Sequence, residues 1–326
     1  MENCKVFYKF RDGRCLVVPS KDYLVNGKSL ELCNEADVKL DFNPYHDKRG
    51  RFTTKGGATN EVFVRPKEVF AWEMERLEGE SFAQVIERAK VLEAERNAYM
   101  DKWYKASEDR IRKYIGKNTM YMNLRDELDP DVVKSLADNI ETFAEKFPQI
   151  KGAIDFVRCD TMEPNVVAGF HMTGKHGNGI VLNTEKFKNS KVLRSAHEKD
   201  RAANFHPKNT DEYQYFQHEL AHALEEKANR VLFNKGLDKA RRENFNVENK
   251  MRDVNLSQEL FDKAIKEYGS ETIRQEVSVY ATADSREFLA ECISEYTNSP
   301  NPRPIASRVS KDFAELVVEK LKSIEE

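Results

Sequence analysis

The five residues His218-Glu219-Leu220-Ala221-His222 carry two imidazoles and a carboxylate at a spacing suited to metal-assisted hydrolysis. On an α-helix, residues four apart lie on one face, one turn from each other. Two imidazoles in that relation can grip a single zinc ion at about 2.0–2.1 Å each. Glu219 follows His218 directly, so it stands beside the metal rather than on it. There it can take a proton from an activated water. Tyr215, Phe216, Leu220, Ala223 and Leu224 give the same helix an apolar face. A buried helix with two histidines and a glutamate is costly unless something compensates them. A pair of ordinary hydrogen-bonded core histidines is the plain alternative.

A catalytic zinc commonly has three protein ligands and one position open to water. No histidine follows His222, and His171, His176, His197 and His206 all lie upstream. That removes the long metzincin pattern and favours a downstream carboxylate. Glu243 and Glu248 lie in a polar stretch without clear periodicity. Glu287 lies in Glu287-Phe288-Leu289-Ala290-Glu291-Cys292-Ile293, where Glu287, Glu291 and Glu295 are four apart. They stack as one helical stripe beside an apolar stripe of Phe288, Leu289, Cys292 and Ile293. A carboxylate stripe beside a buried face needs a cation or hydrogen-bond donors. Glu287 is thereby favoured as the third ligand, and Glu291 as the residue behind it that holds one of the histidines. Solvated glutamates are the competing reading.

The elements that must position these groups can be read from periodicity and caps. Thr210 to Ala228 predicts a strong helix capped by Thr210 or Asp211. Asp284 to Tyr296 predicts another, with Asp284 or Ser285 as its cap and Pro300 beyond its end. Asp131–Phe147, Ser257–Tyr268 and Ser310 to the C-terminus predict three more. Ala153–Arg158, Val166–Met172 and Gly179–Asn183 predict short strands. The fold class expected for residues 129–326 is α+β, mainly helical with a small edge sheet. Residues 1–42 predict a small β-rich region containing a hairpin, Val6–Phe10 and Cys15–Val18, with Asp12-Gly13 at its tip. Residues 43–65 read as a linker rich in turn formers. Residues 66–128 predict one or two charged helices with solvated faces.

Ser278-Val279-Tyr280-Ala281-Thr282-Ala283-Asp284-Ser285-Arg286-Glu287-Phe288-Leu289-Ala290-Glu291-Cys292-Ile293 resembles the second half of the zinc site in the anthrax lethal factor family of metallopeptidases. In that family a Tyr and a short turn precede Glu-aromatic-apolar-Ala-Glu on a helix. His218-Glu219-Leu220-Ala221-His222-Ala223-Leu224-Glu225 is similar to the first half. The resemblance implies a zincin-like domain holding one Zn2+ per chain through His218, His222 and Glu287. It implies a protein or peptide substrate and Glu219 as general base. Tyr280 would donate to the oxyanion or protonate the leaving group, stabilising charge that appears only in the transition state. Gly179, Ile180 and Val181 would lie in the edge strand that pairs with an extended substrate. His206, in Phe205-His206-Pro207-Lys208-Asn209-Thr210, reads as a structural loop residue rather than a ligand.

The rest of the chain bounds the setting. Lys plus Arg number 53 and Asp plus Glu 56, a net charge of −3 in 326 residues. That balance gives no footprint for nucleic acid or a membrane surface. No apolar run reaches the roughly 20 residues needed to span a bilayer. Met1-Glu2-Asn3-Cys4-Lys5 lacks the pattern of a signal peptide. The expectation is a protein kept in the cytoplasm of a host cell or associated with a virion. Cys4, Cys15, Cys33, Cys159 and Cys292 are odd in number and widely spaced, which argues for reduced thiols. Asn43-Pro44-Tyr45-His46-Asp47-Lys48-Arg49-Gly50-Arg51-Phe52 is similar to a short segment of phage and prophage proteins, especially head-morphogenesis proteins. It implies phage structural proteins as partners. Two functions follow: a zinc endopeptidase, or a phage structural protein whose zinc site is a staple or cuts the chain itself.

Overall fold

The computed structural model describes residues 5–9, 15–19, 77, 80–115, 122–173, 177–242 and 255–325. The architecture is α+β and mainly helical, with a three-stranded sheet and a separate two-stranded ribbon. The chain divides into two compact units, Met1–Trp103 and Tyr104–Glu326, with the division falling inside a helix.

In the first unit, β1 (Lys5–Lys9) and β2 (Cys15–Pro19) form the expected antiparallel pair, Val6 opposite Val18 and Tyr8 opposite Leu16. The turn between them and the segment Asn43–Phe52 lie outside the described residues. The charged region contains α1 (Phe82–Arg112), a single helix of 31 residues.

The second unit holds the candidate site. α2 (Leu124–Glu127) is one turn, followed by α3 (Pro130–Lys146), which buries Val132, Val133, Leu136, Ile140 and Phe143 along one stripe. Pro130 opens α3, where its missing N–H costs nothing, and Pro148 begins a 3-10 turn beyond its end. Then come β3 (Phe156–Asp160), β4 (Ala168–Thr173), β5 (Gly177–Asn183), α4 (Thr184–Phe187) and α5 (Ser190–Ala202). α6 (Gln214–Arg242) outlasts its expected end at Ala228, because residues 229–242 contain no proline and are rich in helix formers. α7 (Leu256–Tyr268), α8 (Ser270–Glu276), α9 (Ser285–Asn298) and α10 (Pro304–Glu325) complete the unit. α10 starts six residues before the expected Ser310, since Ile305, Ala306 and Val309 already face the core. α6 and α9 pack together at the centre, with α3, α7 and α10 against them. No described helix is long and apolar enough to cross a membrane.

The sheet corrects one expectation. Its strand order is β3-β5-β4, so the strand carrying Gly179, Ile180 and Val181 is the middle one and not an edge. Val157 pairs with Ile180 on the parallel side and Phe170 with Ile180 on the antiparallel side. Both rows of backbone groups of β5 are therefore committed within the sheet, and an added peptide strand has no place beside it. Gly179 has a packing reason instead: a side chain there would collide with the Phe156 ring.

Candidate metal centre

α6 and α9 bring the two motifs together. The loop before α6 is pinned by Asp211, whose carboxylate accepts from the Tyr213 N–H and from Asn298 Nδ2 at 2.8 Å each. Asp284 caps α9, accepting from the N–H groups of Arg286 and Glu287. Glu287 thus sits in the first turn of α9, held from its own backbone, facing the middle of α6.

His218 Nε2 lies 2.9 Å from Glu287 Oε2 and 3.1 Å from His222 Nε2, and His222 Nε2 lies 3.5 Å from Glu287 Oε2. Nitrogen and oxygen donors set tetrahedrally around a small divalent ion at 2.0–2.1 Å stand about 3.3 Å apart. The three atoms match that triangle. His218 and His222 are buried and Glu287 half-buried, and together they form a group able to hold a metal ion. Glu287 is the carboxylate that joins the histidines; Glu243 and Glu248 lie outside the described residues.

Glu291 stands one turn behind Glu287 and is fully buried. Its Oε1 lies 2.8 Å from His218 Nδ1, 2.9 Å from His206 Nδ1 and 3.1 Å from Gln214 Nε2, while Oε2 accepts from Ser278 Oγ at 2.8 Å. A carboxylate is an acceptor only, so His218 Nδ1 carries a proton, and Nε2 is the nitrogen turned to the triangle, able to give its lone pair to a metal once it sheds its own proton. The expectation that Glu291 holds a histidine agrees with this geometry. His206 also agrees with its reading as a loop residue: it binds Glu291, not the triangle. Glu295, the third member of the stripe, is buried and pairs with Arg303 through both oxygens, at 2.8 Å each.

Charge reinforces the geometry. Burial opposes ionisation of Glu287, but hydrogen bonds from His218 and His222 outweigh it and hold its carboxyl well below the usual range. Burial opposes ionisation of Glu291 as well, yet His206 and His218 bring it down to about 2. Burial disfavours a positive His218, but Glu287 and Glu291 override it and raise its pKa well above the ordinary value. The donor set therefore attracts positive charge into a buried place, which is the property of a cation site.

Glu219 is nearly buried, and its carboxylate takes no hydrogen bond or ion pair from any described residue. Tyr280 opens a 3-10 turn, Tyr280–Thr282, just before α9. Its ring stacks on His218, centroids 5.8 Å apart, and on Phe205 at 5.1 Å. Two backbone bonds tie its turn to the loop before α6, Val279 N–H to Asn204 O at 2.8 Å and Tyr280 N–H to Phe205 O at 3.2 Å. Asn204 has a positive φ of 53°, a conformation asparagine tolerates, which turns the loop to meet Tyr280. Burial, then the charges of Glu287, Glu219 and Glu291, raise the Tyr280 phenol well above its ordinary pKa. It is a proton donor at neutral pH.

Four supporting residues carried no role in the sequence reading: Gln214, Ser278, Asn204 and Phe205. Gln214 had a usable signal, since it lies four residues before His218 on the same face of α6. The contacts of the other three cross between distant loops and leave no periodic trace. No family model, no curated protein and no solved structure matches the chain.

Proposed function

We propose that this protein is a zinc-dependent endopeptidase. The observation that carries the reading is the triangle of His218, His222 and Glu287 beside an unpartnered Glu219 and the protonated phenol of Tyr280. Two imidazoles and one carboxylate with a further position open are a donor set suited to catalytic zinc. When bound, zinc would supply a Lewis acid that brings the pKa of water near neutrality. Glu219 takes a proton from the attacking water as its oxygen adds to the peptide carbonyl carbon. The Tyr280 hydroxyl donates a hydrogen bond to the carbonyl oxygen as negative charge builds there. Glu219 then passes its proton to the amide nitrogen, the C–N bond breaks, and a carboxylate and an amine leave.

The strand suited to hold an extended peptide is β4. It packs beside α6, and among the described residues it pairs only with β5, leaving one edge for strand addition. The likeness of Asn43–Phe52 to phage segments supports a phage structural protein as substrate, in the host cell or the virion.

The test is metal analysis of the purified protein together with cleavage of a peptide library. About one zinc per chain and hydrolysis abolished by chelation are expected. Protein that neither carries zinc nor takes it up when supplied would refute the reading.

A further inference from the structure

Glu225 follows His218 by seven residues and His222 by three, so its side chain lies on the histidine face of α6. It is 2 % exposed, and its buried Oε2 has no hydrogen-bond partner among the described residues. The counter-charge it has is Arg286 Nε, 3.6 Å away and beyond hydrogen-bond length, on a side chain 46 % exposed. A buried carboxylate oxygen without a donor is costly.

One turn back, His222 presents the matching defect. Its Nε2 faces His218 and Glu287, while its buried Nδ1 has no partner among the described residues. An imidazole that gives its Nε2 lone pair to a metal carries its proton on Nδ1. His222 Nδ1 then becomes a buried donor in need of an acceptor. For His218 the same need is met by Glu291. For His222 a buried, unpartnered acceptor stands one turn on along the histidine face of the same helix, Glu225, at a spacing where helix side chains meet.

We propose that Glu225 is the positioning carboxylate of His222: with metal in the triangle, it turns from Arg286 and accepts the Nδ1–H of His222. The inference rests on the metal-binding part of the function proposed above. Each histidine then has its own carboxylate, Glu291 from α9 and Glu225 from α6. Arg286, the neighbour of Glu287, holds Glu225 when His222 does not. Glu225 touches neither substrate nor reacting atoms in this role. It acts through the orientation and basicity of the His222 ring.

The test is zinc affinity, by competition with a chromophoric chelator, in the wild type, E225Q, E225L and R286M. E225L is expected to bind zinc about 10–100-fold more weakly, with E225Q, which keeps an acceptor oxygen without the charge, in between. R286M should stay close to the wild type, since Glu225 remains. Wild-type affinity in E225L overturns the proposal, as does R286M weakening binding as much as E225L. If E225L does not fold, the isosteric E225Q decides, and an unchanged affinity in it overturns the proposal. A second reading comes from cobalt-substituted protein, where each ligand histidine gives an exchangeable, hyperfine-shifted ring N–H signal. One of the two should exchange rapidly in E225L and persist in R286M; two unchanged signals in E225L overturn the proposal. A wild type that binds no zinc removes the metal centre itself, whereas zinc-binding wild type with unaffected Glu225 variants removes only this inference.

Discussion

His218 Nδ1 lies 2.8 Å from Glu291 Oε1, and this contact decides which nitrogen of the ring faces the triangle. Glu291 also takes hydrogen bonds from His206, Gln214 and Ser278, so one buried carboxylate ties α6, α9, the loop before α6 and the turn carrying Tyr280 to a single point. A buried carboxylate is tolerated only when its lone pairs are occupied, and here they are.

Glu291→Gln should therefore act on both metal and fold. Its amide replaces one carboxylate oxygen with an NH2, and the uncharged carbonyl left to accept from His218 and His206 is a weaker partner than the carboxylate. Zinc affinity is expected to fall about 10–100-fold. The metal-free protein should lose about 3–5 kcal/mol, as when one partner of a buried ion pair is removed. Chelator competition and urea denaturation measure the two effects. A variant with wild-type affinity would show that Glu291 does not orient His218.

Glu219→Gln should separate binding from chemistry. The side chain neither joins the triangle nor pairs with any described residue, so zinc content should stay at about one per chain. Peptide hydrolysis should fall by about 10²–10⁴ through loss of the general base. Loss of zinc together with activity would place Glu219 in the wrong role.

Tyr280→Phe removes one hydroxyl and keeps the ring that stacks on His218 and Phe205. Stability and zinc affinity should hold. kcat should fall by about 10²–10³ with little change in KM, because the phenol's hydrogen bond strengthens only as charge develops on the carbonyl oxygen. Steady-state kinetics on a cleaved peptide reads this directly, and a change confined to KM would contradict it.

His197 supplies a pH dependence outside the triangle. It is buried, with Nε2 3.2 Å from Thr210 Oγ1 and its ring edge-on to Tyr215. Burial, then the nearby Arg201, lowers its pKa from 6.5 to about 4. The folded state thus binds the proton less readily than the unfolded chain. The stability linked to His197 is fully present above pH 6.5 and is lost as the pH falls toward 4, by roughly 2–3 kcal/mol. Urea midpoints at pH 7 and pH 5 should converge in His197→Gln and differ in the wild type. Parallel curves would assign the acid sensitivity to other groups.

The spacing of His218, Glu219 and His222 was legible in the sequence because helix geometry is local. Residues four apart share a face whatever the rest of the chain does. The same rule exposed the Glu287–Glu291–Glu295 stripe and the Asp284 cap. The mainly helical class with a small sheet followed from periodicity and turn residues. Strand order did not. Alternation marks Gly179–Asn183 as a strand but says nothing about what pairs on either side, and only the folded sheet places it in the middle. Nor could the sequence show that His206, Gln214 and Ser278 converge on Glu291, since they lie 13 to 85 residues from it. The chemistry of the motifs was written in short-range spacing. Their meeting at one point, and which carboxylate serves which histidine, was decided by the packing of α6 on α9, where distant residues come within hydrogen-bond length.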